Sequence, residues 1–149
     1  MLRVFLLAML MLPSTSRQST ATKGRLSGRQ SYRVQGQLMC ADTPAQNVLV
    51  KLYDDDKGPL IDDLLDSGYT DTSGRFLLDG DTVEATPIEP RLKIYHDCND
   101  NLPCQRKLKF KLPLSYTTAG RNARKTFDIG VWNLEAADIG EARQRCRLD

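Results

Sequence analysis

Residues 92–113 read LKIYHDCNDNLPCQRKLKFKLP. Two alternating runs flank a turn-rich centre. In the first, Leu92, Ile94, His96 and Cys98 share one face of an extended chain, with Lys93 on the other. In the second, Leu108, Phe110 and Leu112 share a face, with Lys107, Lys109 and Lys111 opposite. A period of two with one apolar face marks half-buried β-strands, and a helix would need a period near 3.6. Strands with one wet face belong in antiparallel sheets.

Outward from this stretch the same pattern repeats. Tyr32, Val34, Leu38 and Cys40 share a parity, with Gly36 among them; a glycine inside a strand reads as a position where another group packs closely. Val48, Val50 and Leu52 share another face. Gly68–Asp71 leads through the turn DTSG into RFLLDG, and KTFDIGVWNL places Phe127, Ile129 and Val131 together. Trp132 then falls on the opposite parity, as a second-face core residue or an exposed interface anchor, with the core reading favoured. Only Leu60–Leu65 and Glu135–Cys146 suggest short helices. Seven to eight short strands with one or two short helices predict an all-β antiparallel sandwich.

The chain opens MLRVFLLAMLMLPSTS, with Arg3 ahead of an apolar run at Val4–Leu12 and small polar residues after it. That is the layout of a secretory signal peptide, and the run is too short to span a bilayer. Cleavage is expected after Ser16, or as late as Ala21. Residues 17–30 read as a flexible basic tail and 31–149 as one domain. No later stretch is apolar enough for a membrane anchor. An exported protein with four cysteines should hold them as disulfides.

Net charge is +2 but unevenly spread. Asp42–Asp100 holds fourteen acidic and five basic residues; Arg106–Lys125 holds seven basic and no acidic ones. Such blocks give one face that prefers anions. The near-zero total argues against a nucleic-acid binder.

The ordered set VQGQLMC, PAQNVLVKLYD, DDLL, TDTSGRFLLDG, IEPRLKIYHDC and FDIGVWNL, behind a signal-like leader, resembles the transthyretin-like family of secreted nematode proteins. The resemblance runs from about Val34 to Leu134 and implies a transthyretin-type sandwich of two sheets. It also implies extracellular recognition, with anionic phospholipid on cells among the ligand types. The enzymatic branch of that fold, 5-hydroxyisourate hydrolase, uses histidines, an arginine and a C-terminal Tyr-Arg-Gly-Ser. This chain has one histidine and ends QRCRLD, so that activity is not carried over.

His96, Cys98 and Cys104 match no common zinc spacing. A short Cys98–Cys104 bridge, leaving Cys40 for Cys146, is the favoured reading, although four cysteines allow three pairings and sequence does not choose among them. His96 then reads as a structural histidine near a sheet end. The carboxylates Asp54, Asp55, Asp56, Asp62, Asp63 and Asp66 read as solvated surface without EF-hand spacing. No metal, cofactor or catalytic constellation is expected.

The expectation is therefore a non-enzymatic extracellular module that docks on a cell-surface receptor or anionic phospholipid. Lys107, Lys109 and Lys111, with Lys93 on the preceding strand and Arg106 nearby, form its candidate surface. The alternatives are a carrier of small apolar ligands in a transthyretin-like oligomer and a hydrolase built on His96. Alternating lysines that merely solubilise an exposed strand account for the same pattern.

Overall fold

Strand β1, Gly28–Cys40, is the spine of the molecule. A computed structural model describes residues 27–55, 62–136 and the backbone of 141–143. The expected leader and most of the expected basic tail lie outside the described residues. β1 begins at Gly28, ahead of the start near Ser31 that composition suggests.

The other strands, in chain order, are β2 Thr43–Pro44, β3 Leu49–Asp54, β4 Asp63–Tyr69, β5 Arg75–Glu84 and β6 Pro90–His96. They continue with β7 Arg106–Lys111, β8 Thr118–Ala119, β9 Thr126–Asn133 and β10 Glu141–Arg143. The first sheet is built on β1, which pairs antiparallel with β2, β5 and β8 and parallel with β9. The second sheet runs β10-β7-β6-β3-β4, antiparallel throughout. The fold is an all-β, transthyretin-type sandwich of two sheets.

The apolar parity of each strand fills the space between the sheets. Tyr32, Val34 and Leu38 meet Val50, Leu52, Leu92, Ile94 and Leu108, with Ile88 and Leu134 closing the ends. Each such burial contributes about 1.5–3 kcal/mol. The turn into β5 is set by Asp71, whose carboxylate accepts the N–H groups of Ser73 and Arg75, both at 2.8 Å. Gly74 completes it at φ +74°, where a Cβ would lie 2.2 Å from the Leu38 carbonyl oxygen.

Neither expected helix forms as read. Asp63–Leu65 belongs to β4, an extended strand on β3. Leu134–Ala136 is a single 3-10 turn, and Glu141–Arg143 is strand β10 on β7. A second 3-10 turn, Leu114–Tyr116, precedes β8.

The cysteine pairing also differs. Cys98 bonds to Cys40, with their Cα atoms 5.6 Å apart, and not to Cys104. Cys40 ends β1 and Cys98 follows β6, so the bridge ties the two sheets together at one end of the sandwich. Both cysteines continue the inward parity of their strands, Cys40 after Leu38 and Cys98 after Ile94 and His96. Cys104 is also disulfide-bonded. Cys146 lies outside the described residues.

In β9 the inward run breaks at a bulge. Phe127 and Asp128 pair with Val34 and Gln35, but Val131 and Trp132 pair with Gln37 and Leu38. Gly130, at φ +73°, takes up the extra residue, and its N–H reaches the Asp128 carboxylate at 2.7 Å. The shift turns Val131 outward, 67% exposed, and brings Trp132 to the inner side. There the indole remains 39% exposed and packs on Phe110 at a centroid distance of 5.2 Å.

Candidate functional site

Register, more than any single strand, assembles the charged surface. On the outward face of the second sheet Lys51, Lys93 and Lys109 lie side by side on β3, β6 and β7. Neighbouring strands are about 4.8 Å apart. The next row is Tyr53, Arg91 and Lys111, and the row on the other side is Leu49, Tyr95 and Lys107. Lys93 thus sits directly beside Lys109, and Lys107 and Lys111 flank it along β7. Arg106 belongs to the opposite parity; its guanidinium donates to the Cys98 carbonyl at 3.2 Å, away from the lysine rows. Arg121, Arg124 and Lys125 lie between β8 and β9, on the first sheet's side of the chain.

Part of this charge is already matched. Asp55 pairs with both Arg91 and, at 3.2 Å, Lys109. Asp62 pairs with Lys93 at 2.9 Å. Lys51, Lys107 and Lys111 have no carboxylate partner among the described residues. Reading the acidic run as solvated surface missed these contacts, although an acidic stretch beside basic strands was their visible signal. Asp54 departs further from that reading: it is buried and accepts the Glu89 N–H.

At the β3 end of the second row, beside Arg91, lies Tyr53. Its side chain points outward, yet it is only 2% exposed. The Lys93 ammonium stands 3.5 Å above its ring centroid and the Lys109 ammonium 5.4 Å away. Lys51 similarly covers Tyr95 at 5.6 Å. Ammonium groups over aromatic faces are held by the ring quadrupole. Burial, followed by the charges of Asp62 and Asp55, pushes the Tyr53 phenol well above its ordinary range. Burial and Asp62 raise Tyr95 as well. Both stay neutral, as hydrogen-bond donors.

His96 points inward and is 2% exposed. Its Nδ1 accepts the Cys98 N–H at 3.3 Å, which fixes the ring beside the disulfide. The Cys98 sulfur is committed to Cys40 and offers no thiolate to a metal. Among the described residues no three His, Cys, Asp or Glu side chains gather as a metal site. At Gly36, Ile129 packs so closely that a Cβ would lie 2.3 Å from its Cγ1. The outward face of the first sheet carries an open groove of about 500 Å³ beside Gln35, Gln37, Arg75, Leu77 and Val131.

A five-stranded antiparallel sheet laid over a sheet built on one long strand makes a two-sheet β-sandwich, and the register of the second sheet gives it a cationic outer face. The chain belongs to the transthyretin-like family, whose model matches residues 35–113. It is 54% identical over 117 residues to Transthyretin-like protein 46 of Caenorhabditis elegans, covering 77% of this chain and 65% of that one. It is 50% identical over 115 residues to Transthyretin-like protein 33 of the same organism, covering 76% of this chain and 80% of the relative. Transthyretin-like protein 5 of that nematode is 49% identical over 119 residues, with 79% and 86% covered. The chain therefore spans just under two thirds of the first of these relatives and more of the others.

Proposed function

We propose that the protein is an exported, non-catalytic recognition module that docks on anionic membranes, those bearing phosphatidylserine foremost, through the outward face of its second sheet. The observation that carries this reading is the row Lys51–Lys93–Lys109, with Arg91, Lys107 and Lys111 beside it. A cation held near an anionic leaflet contributes about 1 kcal/mol, and salt screens the attraction within a Debye length. Three unmatched lysines thus support weak to moderate, salt-sensitive binding. The leader-like N-terminus supports export. A catalytic role is disfavoured because the only histidine is buried and hydrogen-bonded beside a disulfide.

Flotation of the oxidised protein with vesicles, with and without phosphatidylserine and at two salt concentrations, tests the proposal. Selective binding that falls with salt, and falls again when Lys107, Lys109 and Lys111 are reversed to glutamate, is the expected outcome. Absence of binding at low salt overturns it and directs the search to protein receptors.

A second reading, carriage of small apolar molecules, draws on the first sheet's groove, where Leu77 and Val131 are exposed. Transthyretin carries its ligand between subunits, so this reading requires an oligomer. A monomer by light scattering removes it.

A further inference from the structure

One row of the cationic face contains two buried donors that the fold leaves unused. The Tyr53 hydroxyl and the Arg91 Nε have no hydrogen-bond partner among the described residues. A buried donor left unmade is costly, and native structures rarely tolerate one without reason. The Arg91 Nε can only donate and the Tyr53 hydroxyl can donate, so one acceptor group would answer both, whereas a cation would leave Arg91 unsatisfied. Around them stand the ammonium groups of Lys93 and Lys109, both near the Tyr53 ring. Three cations and a phenol on three adjacent strands thus converge on one point.

We propose that Tyr53, Arg91, Lys93 and Lys109 form a built subsite for a phosphate-type oxyanion, in which the chain's own Asp55 and Asp62 carboxylates stand in for the ligand. Asp55 bridges Arg91 and Lys109, and Asp62 holds Lys93, as oxyanions placed among these cations would be. Two carboxylates against three cations leave the cluster one positive charge in excess, with Lys51 and Lys111 adjoining it in the rows. The resident pairs are partly open to solvent, with side chains 18–35% exposed, and pairs of that kind contribute little. Their displacement is therefore cheap. A phosphate brings oxygens in a tetrahedral array, enough to satisfy Arg91 by two donors and still reach the phenol. By mass action the resident carboxylates lower the apparent affinity of any such ligand.

The inference rests on the docking proposal for its membrane source, and the experiment separates the two. Asp55→Asn/Asp62→Asn is compared with wild type and with Asp42→Asn/Asp97→Asn, which carries the same charge change at exposed sites outside the cluster. Tyr53→Phe is added to the first pair. In vesicle flotation with phosphatidylserine, the cluster pair should bind roughly tenfold more tightly than wild type, and the control pair distinctly less so. Tyr53→Phe should take back part of the gain while leaving the thermal midpoint unchanged or higher, since it removes an unsatisfied hydroxyl. Inorganic phosphate, titrated against chloride at matched ionic strength, should shift the NMR signals of Lys93 and Arg91 in the cluster pair. If vesicles bind but the cluster and control pairs gain equally, the subsite is overturned and general docking stands. If no variant binds vesicles but phosphate shifts those signals and Tyr53→Phe abolishes the shift, the subsite stands with a soluble ligand and membrane docking falls. If neither probe responds, both are overturned.

Discussion

Gly36 sits where two side chains compete for one space. Its missing Cβ leaves room for the Ile129 side chain, and Phe76 lies 3.2 Å from the same point. Gly36→Ala should therefore destabilise the protein by about 1–3 kcal/mol through overpacking. Adding Ile129→Ala should recover part of that loss, and a urea-denaturation cycle across the four proteins would read the coupling; additive losses would show that the contact is not the cause. Thr70 makes a different kind of demand. Buried between β4 and β5, its hydroxyl donates to the Ala45 carbonyl at 2.6 Å and accepts the Val48 N–H at 2.9 Å. Thr70→Val keeps the shape and strands both backbone groups, at a cost of about 1–3 kcal/mol. A midpoint within error of wild type would mean that water or a shifted backbone takes over the hydroxyl's role.

Among the elements, β9 shows where alternation misleads. Counting by two from Phe127 puts Val131 inside and Trp132 on the other face. The bulge reverses both, and Gly130 inside the pattern was its only local sign. Trp132 consequently closes the gap between the sheets against Phe110 while remaining partly wet. Its emission should lie between that of a buried and a free indole. Phe110→Ala should move it to longer wavelength and increase quenching by iodide; an unchanged spectrum would show that Phe110 does not shield the ring. β4 misled for another reason. Leu60, Ile61, Leu64 and Leu65 have helix-like spacing, but Asp63–Leu65 lies where β3 offers an unpaired edge, and strand pairing outweighs local preference. The strands β1, β3, β6 and β7 were legible because each has one face in the core and one in water. Their partners were not, since register across β3, β6 and β7 depends on how the whole sheet packs. For that reason the lysines could be assigned a face from sequence, while Tyr53, Asp55 and Asp62 could not be gathered around them.

At the scale of the molecule, the Cys40–Cys98 bridge joins the sheets across a separation of 58 residues. Sequence spacing favours short loops, and it pointed to Cys104; the shared inward parity of Cys40 and Cys98 was the better guide. A bridge closing a loop of this length restricts the unfolded chain by about 4 kcal/mol. Cys40→Ser/Cys98→Ser should lower the denaturation free energy by an amount of that order under non-reducing conditions. A loss below about 1 kcal/mol would place the stabilisation elsewhere, because engineered and native bridges fall short of that figure when they strain the fold.

Among the described residues, the first strand pairs with nearly the last. β1 spans Gly28–Cys40, while its parallel neighbour β9 spans Thr126–Asn133. A chain emerging from a ribosome at about 5–20 residues per second makes the spine of this sheet several seconds before the strand that completes it. Until then Val34 and Leu38 have only part of their cover, and one edge of β1 lacks its long partner. The first sheet is therefore completed late, and a holding chaperone that covers the open edge of β1 has a defined interval in which to act.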